Sequence, residues 1–244
     1  MDILPYGREA LVVNFEQRID PAINARVHAL NEALSRAALP GVRFAIPAFC
    51  SLTIGFDPRQ LSFSDLAASL HNWADQLEAT HTTASRTWRV PVCFSEEFAW
   101  DKTEVLSYTG VANWQTLVDQ LTAIPLRVYM LGFLPGFPYL GALPPSLACP
   151  RKAKPRARVA VQSVSIAGQQ AGIYPSTSPG GWQIVGRTPL PLFLGKMEQP
   201  FLFAAGDEVR FFAVKRAVYE DIASRFVRKN ISWNDFLVSG SKHH

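Results

Sequence analysis

Residues 131–141 read LGFLPGFPYLG, and residues 172–189 read GIYPSTSPGGWQIVGRTP. Proline and glycine recur every few positions in both stretches, so neither accommodates a helix of ordinary length. Short strands joined by shaped turns fit instead. Working outward, the apolar or alternating runs at 126–131, 159–166, 170–174, 182–185 and 209–214 also read as short strands. Several short strands with frequent turn signals point to a β-barrel. Two short helices, near 102–108 and 113–121, precede this region. A final helix after residue 215 presents Val218, Ile222 and Phe226 on one face.

The first third has a different rhythm. An apolar run at 10–15 is followed by Ile23, Val27, Leu30 and Leu34 at helical spacing, with Asp20-Pro21 as cap and first turn. Val42, Phe44 and Ile46 alternate, as do Leu52, Ile54 and Phe56. Phe63, Leu66, Leu70 and Leu77 trace a second helix, and 86–94 reads as a closing strand. The order βαββαβ predicts a small ferredoxin-like domain. ATHTTAS at 79–85 is the natural linker. The expected class is therefore α+β: a ferredoxin-like domain over 1–84, a barrel domain over 85–230 and a tail over 231–244.

Composition narrows the function. The chain has 244 residues, and its charged fraction of 18% lies below the roughly 25% usual for soluble proteins. That leaves room for an apolar contact surface. A basic pI would permit nucleic-acid binding, but no motif or cationic helical stripe supports it. Cys50, Cys93 and Cys149 are widely spaced and form no CxxC pair, which predicts neither a disulfide framework nor a zinc site. No run is long and apolar enough for a membrane span, and residues 1–13 do not resemble a signal peptide. The expectation is a cytoplasmic protein with no membrane or nucleic-acid partner.

Charge is distributed unevenly. Residues 120–197 contain no Asp or Glu but eight cations, among them Arg151, Arg156 and Arg187, and the whole chain carries only +4. Guanidinium groups bind carboxylates and phosphates bidentately, so this segment predicts an anion receptor. Arg151 and Arg156 each adjoin a proline; for them, anion binding and structural pairing both remain open. Pro179-Gly180-Gly181 allows a turn with positive φ and close backbone approach, with Trp182 as a flat wall. Phe133, Phe137, Tyr139 and Tyr174 are too apolar for a plain solvent loop and are expected to line a pocket or meet a partner. No histidine occurs between Thr82 and Lys242, so a Ser-His-Asp triad or a histidine zinc site within this region is ruled out. The glycines match neither a P-loop nor a dinucleotide fingerprint. What remains is half of a site: groups that hold an anion, with no assigned catalytic residue and no metal ligand.

The same segments resemble the family of the 5-oxoprolinase B subunit, also called KipI or allophanate hydrolase subunit 1. The matching elements are PGV at 40–42, VPVCF at 90–94, RVYMLGFLPGFPYLG at 127–141, PRKAKPR at 150–156, GIYPSTSPGGWQIVGRTPLPLF at 172–193 and GDEVRF at 206–211. The resemblance implies a small α/β domain followed by a cyclophilin-like barrel. It implies one component, inactive alone, of an ATP-hydrolysing enzyme that opens the lactam of 5-oxoproline to L-glutamate. Its implied partners are the homologous C subunit, in a heterodimer or larger assembly, and the A subunit. ATP would be the nucleotide, a metal ion could accompany it, and there would be no covalent cofactor. Two other roles fit the resemblance: a regulatory protein inhibiting a sensor histidine kinase, and a carboxyltransferase half of a biotin-dependent, urea-carboxylase-type enzyme. The chain departs from the family pattern where a VPAGSVAI-like strand is usual: residues 159–166 read VAVQSVSI, placing Gln162 in an expected pocket wall. QQA at 169–171 replaces an acidic-Gln-Thr lead.

Overall fold

The computed structural model describes residues 1–76 and 86–239; the expected linker at 79–85 lies outside the described residues. The chain divides into two compact units, Met1–Thr83 and Ala84–His244.

The first unit contains β1 (Asp2–Pro5), β2 (Ala10–Asn14), α1 (Pro21–Ala37), β3 (Val42–Pro47), β4 (Ser51–Phe56) and α2 (Phe63–Gln76). Its four strands form an antiparallel sheet in the order β1-β2-β4-β3. The start of α1 follows from sequence. Asp20 is extended, and its Oδ1 accepts the amides of Ala22 and Ile23 at 2.8 and 3.1 Å, while Pro21 supplies a preset first turn. At α2, Ser62 Oγ accepts the Asp65 amide at 3.1 Å. Leu11 and Val13 of β2 and Leu52 and Ile54 of β4 alternate inward, where they meet Val27, Leu30, Leu66 and Leu70 in one core.

The expected closing strand of this unit belongs elsewhere. Residues Thr87–Val92 form β5 of the second unit, and β1 occupies the fourth place in the small sheet. The reason is burial on both faces: Trp88, Val90, Pro91 and Val92 are all buried, which suits the interior of a large sheet better than the edge of a small one.

The second unit continues with α3 (Lys102–Thr109), α4 (Trp114–Ala123), β6 (Leu126–Leu131), β7 (Pro138–Gly141), β8 (Arg156–Val159), β9 (Ser163–Ala167), β10 (Gln170–Ile173), β11 (Ser178–Gly180), β12 (Gln183–Arg187), β13 (Glu208–Ala213), α5 (Arg216–Val227) and β14 (Leu237–Ser239). An eight-stranded mixed sheet runs β12-β9-β10-β7-β6-β13-β5-β14, and β8 and β11 form a separate ribbon. Within the large sheet β5 and β13 are parallel. The main core gathers Trp88, Val128, Leu140, Ile166, Ile173, Val185 and Phe211, with α4 contributing Leu117 and Leu121.

The expected closed barrel is not formed: the outer strands β12 and β14 do not pair with each other. β14 takes the free edge of β5 at Thr87 and Trp88, leaving the far end of that strand, where an isolated Cys93–Arg187 bridge reaches β12 through two hydrogen bonds of 2.8 and 3.0 Å. The expected strand over 159–166 is two strands, separated by a turn in which Gln162 adopts φ 65°. The expected tail also contributes structure. Trp233 is buried and donates its indole N–H to the Pro191 carbonyl at 2.7 Å, which ties a short 3-10 turn and then β14 to the core.

Candidate ligand-binding site

The turn between β6 and β7 shapes the site. Phe133 and Gly136 take φ of 66° and 83°, and the Gly132 amide donates to the Phe137 carbonyl at 3.1 Å. This doubling-back leaves Phe133 62% exposed and drives Phe137 inward to 1%. Phe137 then meets four rings: Phe133, Tyr174 and Trp182 edge-on at centroid distances of 5.7, 5.1 and 5.6 Å, and Tyr139 tilted at 5.1 Å. Edge-to-face packing of this kind adds to the stabilisation from burial alone. Two glycines make room. A Cβ on Gly172 would lie 2.7 Å from the Phe137 ring, and one on Gly180 would lie 2.2 Å from the Tyr174 hydroxyl.

Above this cluster lies a pocket of about 300 Å³. Phe133, Phe137, Tyr139, Tyr174 and Trp182 form its aromatic walls. Gly180 and Gly181 lie along the β11 side, with Arg151, Lys152 and two prolines completing the lining. Eight of the residues expected from sequence thus come together; Arg156 and Arg187 do not.

Arg156 and Lys152 are committed to a carboxylate that sequence reasoning missed. Asp101 precedes α3 and is fully buried. Arg156 donates from Nη1 to Oδ2 at 2.9 Å and from Nη2 to Oδ1 at 2.5 Å; Lys152 Nζ donates to Oδ1 at 2.7 Å; the Ile184 amide donates to Oδ2 at 2.7 Å. Burial raises the Asp101 pKa, but the hydrogen bonds from Arg156, Lys152 and Ile184, with the charge of Arg156, hold it below the ordinary value. The acid-free segment is therefore not unopposed: Asp101, some fifty residues upstream, neutralises part of it. Its position just before a helix was the one available signal, and that signal fits a plain cap equally well.

Arg187 lies elsewhere. Its guanidinium sits over the Phe98 ring at 4.6 Å and hydrogen-bonds Tyr219. Arg151 is different from both. It is exposed, forms no ion pair among the described residues, and lies 5.8 Å from the Trp182 ring centroid. It is the uncommitted guanidinium of the pocket. Burial raises the pKa of both Tyr139 and Tyr174, with the Arg151 charge opposing it in each and the Trp182 main chain also opposing it at Tyr174. Both phenols are thus neutral hydrogen-bonding groups near pH 7.

Two expectations about this region need correction. Gly180 and Gly181 do not adopt positive φ; Gly180 lies in β11 opposite Arg156, and its requirement is space for Tyr174. Gln162 does not line the pocket: it sits in the turn between β8 and β9 and donates Nε2 to the Pro189 carbonyl at 3.3 Å. Ala171 is buried in the main core. Cys149 is also buried, which pushes its thiol up to about 11 and makes it a poor nucleophile. The pocket lining contains no His, Asp or Glu, and among the described residues no group of three or more His, Cys, Asp and Glu could hold a metal ion. No helix of the described residues is long and apolar enough to cross a membrane.

A second cavity, about 840 Å³, lies among Phe193, Met197, Phe226, Ile231 and Trp233. Its lining is mostly apolar, and no sequence motif pointed to it.

The model of the carboxyltransferase domain, subdomain C and D, matches residues 1–203. The chain belongs to this family. It is a homologue of the 5-oxoprolinase B subunit: it is 35% identical over 223 residues to the Bacillus subtilis (strain 168) protein of that name, covering 87% of this chain and 92% of the relative. The Escherichia coli O157:H7 protein of the same name is 36% identical over 213 residues, covering 87% and 95%. Among solved structures, that of TTHA0988 superimposes with a TM-score of 0.74 at 36% identity, covering 84% of this chain; the homologue described here spans 40% of that longer chain. The names of the two bacterial relatives identify each as one component of a multi-subunit 5-oxoprolinase.

Proposed function

We propose that this protein is the B subunit of an ATP-dependent 5-oxoprolinase. With the homologous C subunit and with the A subunit, it opens 5-oxoproline to L-glutamate at the expense of ATP, in the cytoplasm. The observation that carries the reading is the identity of 35–36% along nearly the whole length of two relatives of that name. The pocket supports it physically. Arg151 offers a cation to an anionic substrate, but the lining lacks a group that moves a proton at neutral pH. A site of that composition is incomplete by itself, which fits a protein that is inactive alone. In this reading Arg151 and the Gly180–Trp182 segment bind substrate, the aromatic residues form the wall, and the partner supplies the proton-transfer groups.

The test is reconstitution. The purified chain and the C and A subunits together are expected to release glutamate from 5-oxoproline only when ATP is present, and no single component does so. Absence of ATP-dependent glutamate release from the full set overturns the reading. The match to a carboxyltransferase model favours a second reading, half of a biotin-dependent carboxyltransferase. In that case a biotinylated carrier, not the A subunit, restores activity, and the product is a carboxylated amide.

A further inference from the structure

ATP and 5-oxoproline are both anions, and the proposed reaction needs a place for each. We infer that the aromatic pocket binds the small lactam carboxylate, with the acid on Arg151 and the flat ring against Trp182 and Tyr139, and that the nucleotide binds elsewhere in the assembly. This inference rests on the 5-oxoprolinase reading and assigns one of its two substrates to this chain.

Three observations support it. The first is charge. A triphosphate brings several negative charges, and phosphate cradles answer with clustered cations and main-chain amides. Here Arg156 and Lys152 share the Asp101 carboxylate and Lys152 also lies 3.6 Å from Glu104, so two carboxylates answer those two cations and the pocket has one uncommitted guanidinium. One guanidinium matches one carboxylate, in the bidentate geometry that suits both groups. The second is size. A cavity of about 300 Å³ lies at the lower limit of small-molecule sites, which run from about 300 to 1,000 Å³. It suits a single five-membered ring and its acid. The third is wall chemistry. Trp182 and Tyr139 pack edge-to-face at 5.8 Å with their planes 72° apart, and with the exposed Phe133 they form an apolar corner of a size that admits a small ring. The neutral phenols of Tyr139 and Tyr174 add polar points on the same walls without adding charge.

The test uses the full chain and the reconstituted complex. In isothermal titration of the full chain, L-5-oxoproline is expected to bind, ATP is expected not to displace it, and Arg151→Ala is expected to weaken binding about tenfold or more. In the complex, R151A is expected to raise KM for 5-oxoproline by a similar factor and leave KM for ATP unchanged. Arg151 is exposed, so folding of this variant is not at stake; Tyr174→Phe supplies a second pocket variant. Displacement by ATP, or a parallel rise in KM for ATP, overturns the assignment while the 5-oxoprolinase reading stands. Displacement by inorganic phosphate at comparable concentration overturns the lactam-specific part. A silent titration combined with unchanged KM in R151A overturns the inference. If the complex has no oxoprolinase activity, that reading fails, and the titration alone then decides whether the pocket takes the carboxylate.

Discussion

The carboxylate of Asp101 and the guanidinium of Arg156 form a two-point pair, 2.9 and 2.5 Å, across fifty-five residues of chain. Lys152 and the Ile184 amide complete the shell. The basic loop beside the pocket is thereby tied to α3 and β12. Removing one partner of a buried pair costs more than the pair contributes, because the other charges stay behind. Arg156 and Lys152 keep some solvent contact, which moderates the loss. Asp101→Ala is expected to cost about 2–4 kcal/mol, read as a lower denaturant midpoint with little change in slope.

The same group sets an acid limit. Asp101 titrates below its ordinary value of 3.8 in the folded state. A depressed carboxyl stabilises the fold fully above its unfolded pKa, and that stabilisation fades as pH falls through the folded value. The wild-type protein is therefore expected to lose stability more steeply below about pH 4 than Asp101→Asn does. Unfolding midpoints of the two proteins between pH 7 and pH 3 measure it; parallel curves would sink the assignment.

Gly180 and Tyr174 share one volume. A Cβ at position 180 would come within 2.2 Å of the Tyr174 hydroxyl, so Gly180→Ala pushes that ring into the pocket. The expected cost is about 1–3 kcal/mol, together with loss of ligand binding. Adding Tyr174→Phe removes the closest atom and is expected to restore part of the stability. A double-mutant cycle by thermal unfolding reads the coupling.

Gln162 occupies left-handed backbone at φ 65°, the region glycine adopts without a Cβ penalty. Its side chain makes one long hydrogen bond, 3.3 Å to Pro189. Gln162→Gly is expected to stabilise the protein by about 0.5–1 kcal/mol after the entropy cost of glycine. A fall in melting temperature would show that the Pro189 contact outweighs the strain.

Asp207 is the other buried ionic centre. It accepts Arg86 at 3.0 and 2.6 Å, the Trp88 indole at 2.9 Å and the Ala204 amide at 2.8 Å. Asp207→Ala strands a nearly buried guanidinium beneath β5. The expected loss is about 3–5 kcal/mol, large enough to lower soluble yield as well as the unfolding midpoint.

Local chemistry was legible without coordinates. Asp20-Pro21 announced α1, because capping is settled within three residues. The aromatic residues of the pocket were legible as rings too apolar for a plain solvent loop, whereas the role of Gly180 was not, because it depends on the Tyr174 ring beside it. What escaped were the long-range choices. Nothing near Thr87–Val92 says that it pairs with β13, more than a hundred residues later, instead of closing the small sheet; strand pairing is decided by which edge is free and which face is dry. Nor does the acid-free composition of residues 120–197 reveal Asp101 inside it. By itself, then, the sequence determined the α+β class, the family and the inventory of groups able to hold an anion. Only the tertiary structure decided which cation remains available: it spent Arg156 and Lys152 on a buried carboxylate and set Arg187 over Phe98, leaving Arg151 beside Trp182. The physical reason is that a buried charge must find its counter-charge wherever the fold brings one.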